Sequence, residues 1–161
     1  MITGLGTFTA IHTLLSIAAL LAGVPVVIGL LSGSLSSRWF WTFWLTAAAT
    51  SVTGFFFPFH GMTPAIGVGI AAVIILAIVL MAAPAAQRSR TGSFIFAGGL
   101  VASEYLLVFV AIAQAFGKIP LLHAAAPTLK EPPFDVAQFV ALAIFVLLGV
   151  LSTKKLKVQK L

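Results

Sequence analysis

Residues 94–116 read FIFAGGLVASEYLLVFVAIAQAF, an apolar run whose only charged residue is Glu104. A run of this length spans a bilayer as a helix. At 1.5 Å per residue, Glu104 lies roughly 15 Å into the run, near the middle of a hydrocarbon core about 30 Å thick. A charged side chain at that depth costs about 2.5–3.5 kcal/mol on insertion scales. We therefore expect the carboxyl group to face protein or water, or to be protonated.

Small residues lie on the helix on either side of Glu104. Ala97 and Ala111 are seven residues away in each direction, and Gly99 and Ser103 form a pair spaced by four. Small side chains at such spacings let a second helix approach closely, so Glu104 is predicted to point at a neighbouring helix. One interpretation is a proton relay or cation site. The other is a protonated carboxyl group that is hydrogen-bonded to a threonine or a backbone carbonyl of the next helix.

The composition is that of an integral membrane protein. The 161 residues are 61% hydrophobic and only 7% charged, whereas a soluble domain carries about 25% charged residues. The net charge of +6 does not indicate nucleic-acid binding, because the basic residues lie between apolar segments and in the C-terminal tail. The chain has no cysteine, which excludes disulfides, iron–sulfur clusters and thiolate metal sites.

Five apolar segments predict an all-α single domain of five transmembrane helices, at about 8–31, 39–58, 64–83, 94–116 and 134–151. Aromatic residues cluster at both ends of the second segment, as is typical of membrane interfaces. Basic residues set the orientation, since they concentrate on the cytoplasmic side. This places the C-terminus in the cytoplasm and the N-terminus outside. The cytoplasmic side receives Arg38, Arg88, Arg90, Lys154, Lys155, Lys157 and Lys160, and the other side receives Lys118 and Lys130.

Threonines form a polar stripe on the second predicted span. Thr42, Thr46, Thr50 and Thr53 recur at helical spacing on one face. Thr46 and Thr50 lie near mid-membrane, so they are the predicted hydrogen-bond partners of Glu104. The alternative is that these hydroxyl groups bond to carbonyls of their own helix.

The three histidines lie on the predicted outer side of the membrane. His12 is about one turn inside the first span, His60 lies at the outer end of the second, and His123 belongs to the segment 117–133. Neutral imidazoles ligate haem iron, so His12 and His60 are candidate ligands of a haem b. The alternatives are a His12 bonded within the bundle and a His60 in an interfacial turn. No cofactor is otherwise expected, and the sequence predicts no metal site and no catalytic residue.

Four short segments carry a resemblance to a known group of proteins. Residues 53–58 (TGFFFP), 114–120 (QAFGKIP), 126–128 (APT) and 131–134 (EPPF) resemble small bacterial multi-pass membrane proteins without an assigned function. The resemblance implies a location in the bacterial inner membrane. It implies no catalytic residue. Residues 117–133 form the longest predicted loop, which is either a docking surface on the outer face or a plain connection.

The leading functional hypothesis is a non-enzymatic accessory or assembly subunit of a larger respiratory or photosynthetic membrane complex. Its partners would be lipid and other membrane subunits, or further copies of the chain, and not nucleic acid. Abundant small-residue faces and aromatic belts motivate this hypothesis. The first alternative is a proton- or cation-coupled permeation protein that uses Glu104, with the threonine stripe lining the path. The second alternative is a small b-type haem protein that uses His12 and His60.

Overall fold

The chain is described by a computed structural model over residues 2–57 and 64–155, with side chains described over 6–57 and 65–154. The regular structure in these ranges is entirely helical. The helices are α1 (Ile2–Ser32), α2 (Ser37–Gly54), α3 (Pro64–Ala86), α4 (Arg90–Lys118), α5 (Pro120–Ala125) and α6 (Pro132–Lys155).

Helix α4 is the centre of the bundle. It packs against α1, α3, α5 and α6, whereas α2 packs against α1 and α3. The rings of Phe116 and Phe134, 5.5 Å apart, join the end of α4 to the start of α6. A Cβ on Gly149 would lie 3.7 Å from Val101, so α6 runs antiparallel to α4. The helix that carries Glu104 therefore has protein on most of its sides.

The core combines large aromatic side chains with small ones. Phe40, Phe43 and Phe96 are fully buried, and the rings of Phe40 and Phe96 lie 5.5 Å apart, which joins α2 to α4. Ala19 of α1 and Ala97 of α4 are also fully buried in this core. Short side chains at such positions allow neighbouring helices to approach closely.

A tight turn connects α3 to α4. Ser89 caps α4 by accepting a hydrogen bond from the backbone N–H of Gly92 at 3.0 Å. A Cβ on Gly92 would overlap the backbone of Ala85. The turn brings Arg88 and Arg90 to the same end of the bundle. Because α2 begins and α6 ends there too, this end also carries other basic residues. We call it the basic end, with Arg38, Arg88, Arg90 and Lys154.

Among the described helices, four are long and apolar enough to cross a membrane: α1, α3, α4 and α6. They correspond to the first, third, fourth and fifth predicted spans. Helix α2, the second predicted span, is not among them because Arg38 and a run of tryptophans, serines and threonines lower its hydropathy. The structure thus shows an all-α bundle with several membrane-span-like helices. The count of five spans and the orientation of the termini stay predictions.

Several helix boundaries differ from those predicted. Helices α1, α4 and α6 extend beyond the apolar runs, because backbone hydrogen bonding continues where the apolar pattern ends. Helix α3 runs past Pro84 to Ala86, since an internal proline removes one hydrogen bond without forcing the helix to end. The predicted loop 117–133 is wrong in part, because α5 occupies its middle. Pro120 begins α5, at a position that suits proline.

Candidate functional site

The carboxyl group of Glu104 is seated on a glycine of the neighbouring helix α1. Glu104 is only 4% exposed. A Cβ built on Gly23 would overlap both carboxyl oxygens and the Cδ atom of Glu104. Glycine is therefore the residue that leaves room for this carboxyl group. Glu104 points at a neighbouring helix, as the small residues on its own face indicate.

One oxygen of this carboxyl group is unpaired. Within residues 6–57 and 65–154, Glu104 Oε2 has no hydrogen-bond partner, and the buried hydroxyl of the adjacent Ser103 has none either. Burying a polar atom without a partner is costly, and such atoms in folded proteins call for an explanation. One of the two sequence-based interpretations was a protonated carboxyl group that is hydrogen-bonded to the next helix. Oε2 makes no such hydrogen bond in the described part of the chain.

The helices packed around α4 offer no charged partner at the depth of Glu104. The described part of α3, residues 64–86, contains no ionisable residue. On α6, Asp135 lies in the first turn and Lys154 near the last. On α1, the one ionisable side chain in the described range is His12, three turns from Gly23. The carboxyl group is thus surrounded by apolar and small neutral residues.

The threonine stripe of α2 makes no hydrogen bond to Glu104 Oε2. The Thr46 hydroxyl donates to Thr42 O at 2.7 Å, and the Thr53 hydroxyl donates to Ala49 O at 2.7 Å. Both bonds lie within α2, which agrees with the alternative interpretation that these hydroxyl groups bond to carbonyls of their own helix. Thr50 differs, since it is buried and its hydroxyl has no partner in the described part of the chain. Thr50 is therefore a third unpaired polar group inside the bundle, after Glu104 and Ser103.

His12 is bonded within the bundle. Its Nδ1 lies 2.9 Å from Thr53 Oγ1. When the Thr53 hydroxyl donates to the α2 carbonyls, Nδ1 of the imidazole is the donor in this contact, and a neutral ring then carries no proton on Nε2. The ring packs edge-on against Phe57, with centroids 5.0 Å apart. These contacts hold the end of α1 against the end of α2.

The predicted haem pair remains a prediction. His60 lies outside the described residues, so its distance from His12 is not defined. His123 lies on α5 and is exposed. The described residues hold no group of three or more histidine and acidic side chains that is placed to bind a metal ion.

Helix α6 contributes two buried polar residues that the sequence reading did not single out. Gln138 donates from Nε2 to Phe109 O at 3.1 Å, while its Oε1 has no partner among the described residues. Ser152 is fully buried, with an unpaired hydroxyl in the same ranges. Both lie on the face of α6 that includes Ala141 and Phe145, spaced by three, four and seven residues. That periodicity is the signal by which the sequence could have identified them.

Glu131, the second glutamate of the chain, has a different environment. Its carboxylate accepts hydrogen bonds from the Thr128 hydroxyl at 2.7 Å and from the backbone N–H groups of Thr128 and Lys130. The hydrogen bond from Thr128 is the largest cause that holds the pKa of Glu131 below its usual value. Glu131 therefore stabilises the connection between α5 and α6 as a carboxylate.

Of the two glutamates, only Glu104 is buried in the bundle. Its carboxyl group packs on Gly23, and its Oε2 has no hydrogen-bond partner among the described residues. Two polar residues of α6 lie on opposite sides of Glu104 along the length of α4. Gln138 contacts Phe109, and Ser152 lies beyond Gly149, which packs on Val101.

The chain matches no protein-family model, no curated protein and no solved structure.

Proposed function

We propose that this integral membrane protein is a proton-coupled permeation protein in which Glu104 binds and releases a proton within the bilayer. The observation that carries the proposal is the unpaired Oε2 of a carboxyl group that is only 4% exposed. An ionisable residue inside a membrane bundle is a functional candidate by default. Most buried polar atoms in folded proteins have a hydrogen-bond partner, so this unpaired oxygen calls for an explanation.

A proton fits this seat better than a metal cation does. Cations such as Ca²⁺ and Mg²⁺ take six or more oxygen ligands, whereas the α1 residue that faces the carboxyl group is Gly23, which has no side chain. A proton needs only the carboxyl group itself. The neutral acid suits the apolar surroundings, and the anion needs water or a counter-charge to form. Uptake and release of the proton would therefore accompany entry and loss of water at this seat.

The packing of α2 supports five spans. His12 bonds to Thr53 near one end of the α1–α2 pair, and at the other end a Cβ on Gly29 would lie 3.2 Å from Cα of Leu35, in the connection that precedes α2. Helix α2 therefore lies antiparallel to α1 along its whole length, about 27 Å for its 18 residues. A segment of that length is long enough to cross nearly the whole of a hydrocarbon core about 30 Å thick. With five spans, the basic end faces the cytoplasm, and the resemblance noted above favours a bacterial inner membrane.

The decisive experiment measures proton flux in vesicles that contain the purified protein. Glu104→Gln keeps the size of the side chain and removes its titration. We expect this variant to lose the flux that the unchanged protein supports. The matched control is Glu131→Gln, which removes the other glutamate at the surface and is expected to leave the flux intact. Flux that survives Glu104→Gln would overturn the proposal.

A second readout detects the proton itself. Infrared difference spectra between acidic and alkaline buffer report protonated carboxyl groups through their carbonyl stretch. The chain has only three acidic side chains, so the bands are few. We expect one band that disappears in Glu104→Gln and persists in Glu131→Gln. A Glu104 that never changes protonation in the working pH range would give no such band and would refute proton exchange.

Membership in a larger membrane assembly is the second candidate function. Only 17% of the α3 span and 11% of the α6 span are buried inside this chain. Large apolar side chains such as Met81 and Phe139 face outward, and they could contact lipid, other subunits or a second copy. Native mass after extraction in mild detergent separates these cases. A particle with other polypeptides would support the subunit role, and a particle of this chain alone would count against it.

A further inference from the structure

A groove of about 380 Å³ opens between α2 and α3 at the basic end of the bundle. It shares no residue with the Glu104 site. Its floor is the fully buried Phe40, and its walls are apolar side chains of α2 and α3. Polar groups stand only at its rim, where α3 ends. The lining residues are Phe40, Trp41, Leu80, Ala83, Pro84, Gln87 and Arg88.

The rim is positively charged without a compensating acid. Arg88 makes no ion pair within the described part of the chain. Arg38 lies three residues before Trp41, and so on the same side of α2. The acidic residues are elsewhere: Glu104 is inside the bundle, and Glu131 and Asp135 are at the opposite end. The groove therefore combines an apolar wall with an unpaired positive charge.

We propose that this groove binds one anionic phospholipid. The phosphodiester would lie against Arg88 and Gln87, and the glycerol region and first methylenes against Trp41 and Leu80. Basic pockets between transmembrane helices are a recognised class of site for anionic headgroups, and tryptophan favours the level of the headgroups. The volume is at the low end of the roughly 300–1,000 Å³ of small-molecule sites. It accommodates the headgroup region, and the acyl chains would continue over the exposed side of α3.

The test measures lipid retention by native mass spectrometry of the full chain in detergent. The probes are phosphatidylglycerol and phosphatidylcholine with identical acyl chains, so that only the headgroup differs. We expect one phosphatidylglycerol to bind at least tenfold more tightly than phosphatidylcholine. Arg88→Gln should weaken phosphatidylglycerol binding about five- to tenfold, as expected for the loss of one arginine at an anionic headgroup. The matched control is Arg90→Gln, which removes the same charge two residues away, outside the groove.

The outcomes separate a built site from general attraction. If Arg90→Gln reduces phosphatidylglycerol binding as much as Arg88→Gln, the preference belongs to the whole basic end, and the proposal fails. Equal binding of the two lipids would also overturn it. Ala83→Leu provides an uncharged check, because it narrows the groove and leaves every arginine in place. We expect this variant to lose the tightly bound lipid while its helical circular dichroism stays unchanged.

Discussion

Replacing Gly23 by alanine tests the seat of Glu104 directly. The new methyl group would overlap both carboxyl oxygens and Cδ of Glu104. The carboxyl group must then leave its position, or α1 must move away from α4. Both helices are tightly packed here, since Ala19 and Ala22 on α1 and Ala97 on α4 are almost fully buried. We expect Gly23→Ala to lower the free energy of unfolding.

The size of the effect follows from two opposing terms. Overfilling a packed interior costs roughly 1–3 kcal/mol. Alanine in place of glycine within a helix stabilises by up to about 1 kcal/mol. Gly98→Ala is the matched control, because a Cβ there meets nothing within 4 Å. The helix-propensity gain is common to both variants, so Gly23→Ala should be less stable than Gly98→Ala by roughly 1–3 kcal/mol.

The assay is reversible unfolding in mixed micelles, followed by far-ultraviolet circular dichroism. Glu104→Ala removes the carboxyl group and so removes the cause of the clash. In the background of Glu104→Ala, the difference between Gly23→Ala and Gly98→Ala should fall close to zero. A double-mutant cycle of these changes measures the coupling of the two residues, which is large only for groups in contact.

Two results would refute the reasoning. If Gly23→Ala is as stable as Gly98→Ala, the carboxyl group is not confined to the space above Gly23. If the loss of stability persists in the Glu104→Ala background, the methyl group clashes with something other than the carboxyl group. In either case the carboxyl group is not held against Gly23 as the structure places it, and the unpaired Oε2 no longer supports a role for Glu104.

Three further predictions concern the ends and the side of the bundle. Gly92→Ala should lower the thermal stability in detergent strongly, by about 2 kcal/mol or more, because the methyl group meets backbone rather than a flexible side chain. Trp44→Phe should cost about 0.5–1.5 kcal/mol in the same assay, since the indole N–H donates to Leu76 O at 3.0 Å. The hydrogen bonds to Glu131 lower its pKa. At pH values above the ordinary glutamate pKa of about 4.3, they therefore stabilise the turn that holds Glu131. That stabilisation is lost as pH falls through the lower folded-state pKa, and an NMR titration should show the pKa rising in Thr128→Ala.

The sequence predicted the parts of this fold that depend on local pattern. Four apolar runs became long apolar helices, because length and hydropathy are enough to indicate a spanning helix. The direction of Glu104 also followed from local pattern, through small residues such as Ala97 on the same face. Helix α2 is the predicted span that is not among these four helices, since Arg38 and its polar residues lower its mean hydropathy.

The local sequence pattern could not show which residue the carboxyl group of Glu104 contacts. Gly23 precedes it by about eighty residues, and nothing in the composition of α1 distinguishes Gly23 from Gly29, which packs against Leu35 instead. The threonine stripe was the more obvious partner because its hydroxyl groups can bond to a carboxyl group. Thr46 satisfies its own hydroxyl within α2, however, as helices in membranes commonly allow. Which helix faces which is decided by packing of the whole bundle, which a linear pattern does not contain.

The combination of a glycine and a carboxyl group is harder to explain by packing than either residue alone. Glycine by itself is common where membrane helices approach closely. A carboxyl group above it fills the space that the glycine leaves open, and its Oε2 has no partner among the described residues. An apolar pair would fill the same space at no such cost. Two residues on, Pro25 removes the N–H that would bond the carbonyl of Leu21, so this turn of α1 lacks one backbone hydrogen bond. A turn with one hydrogen bond fewer next to a buried acid fits the proposed entry of water and exchange of a proton at Glu104.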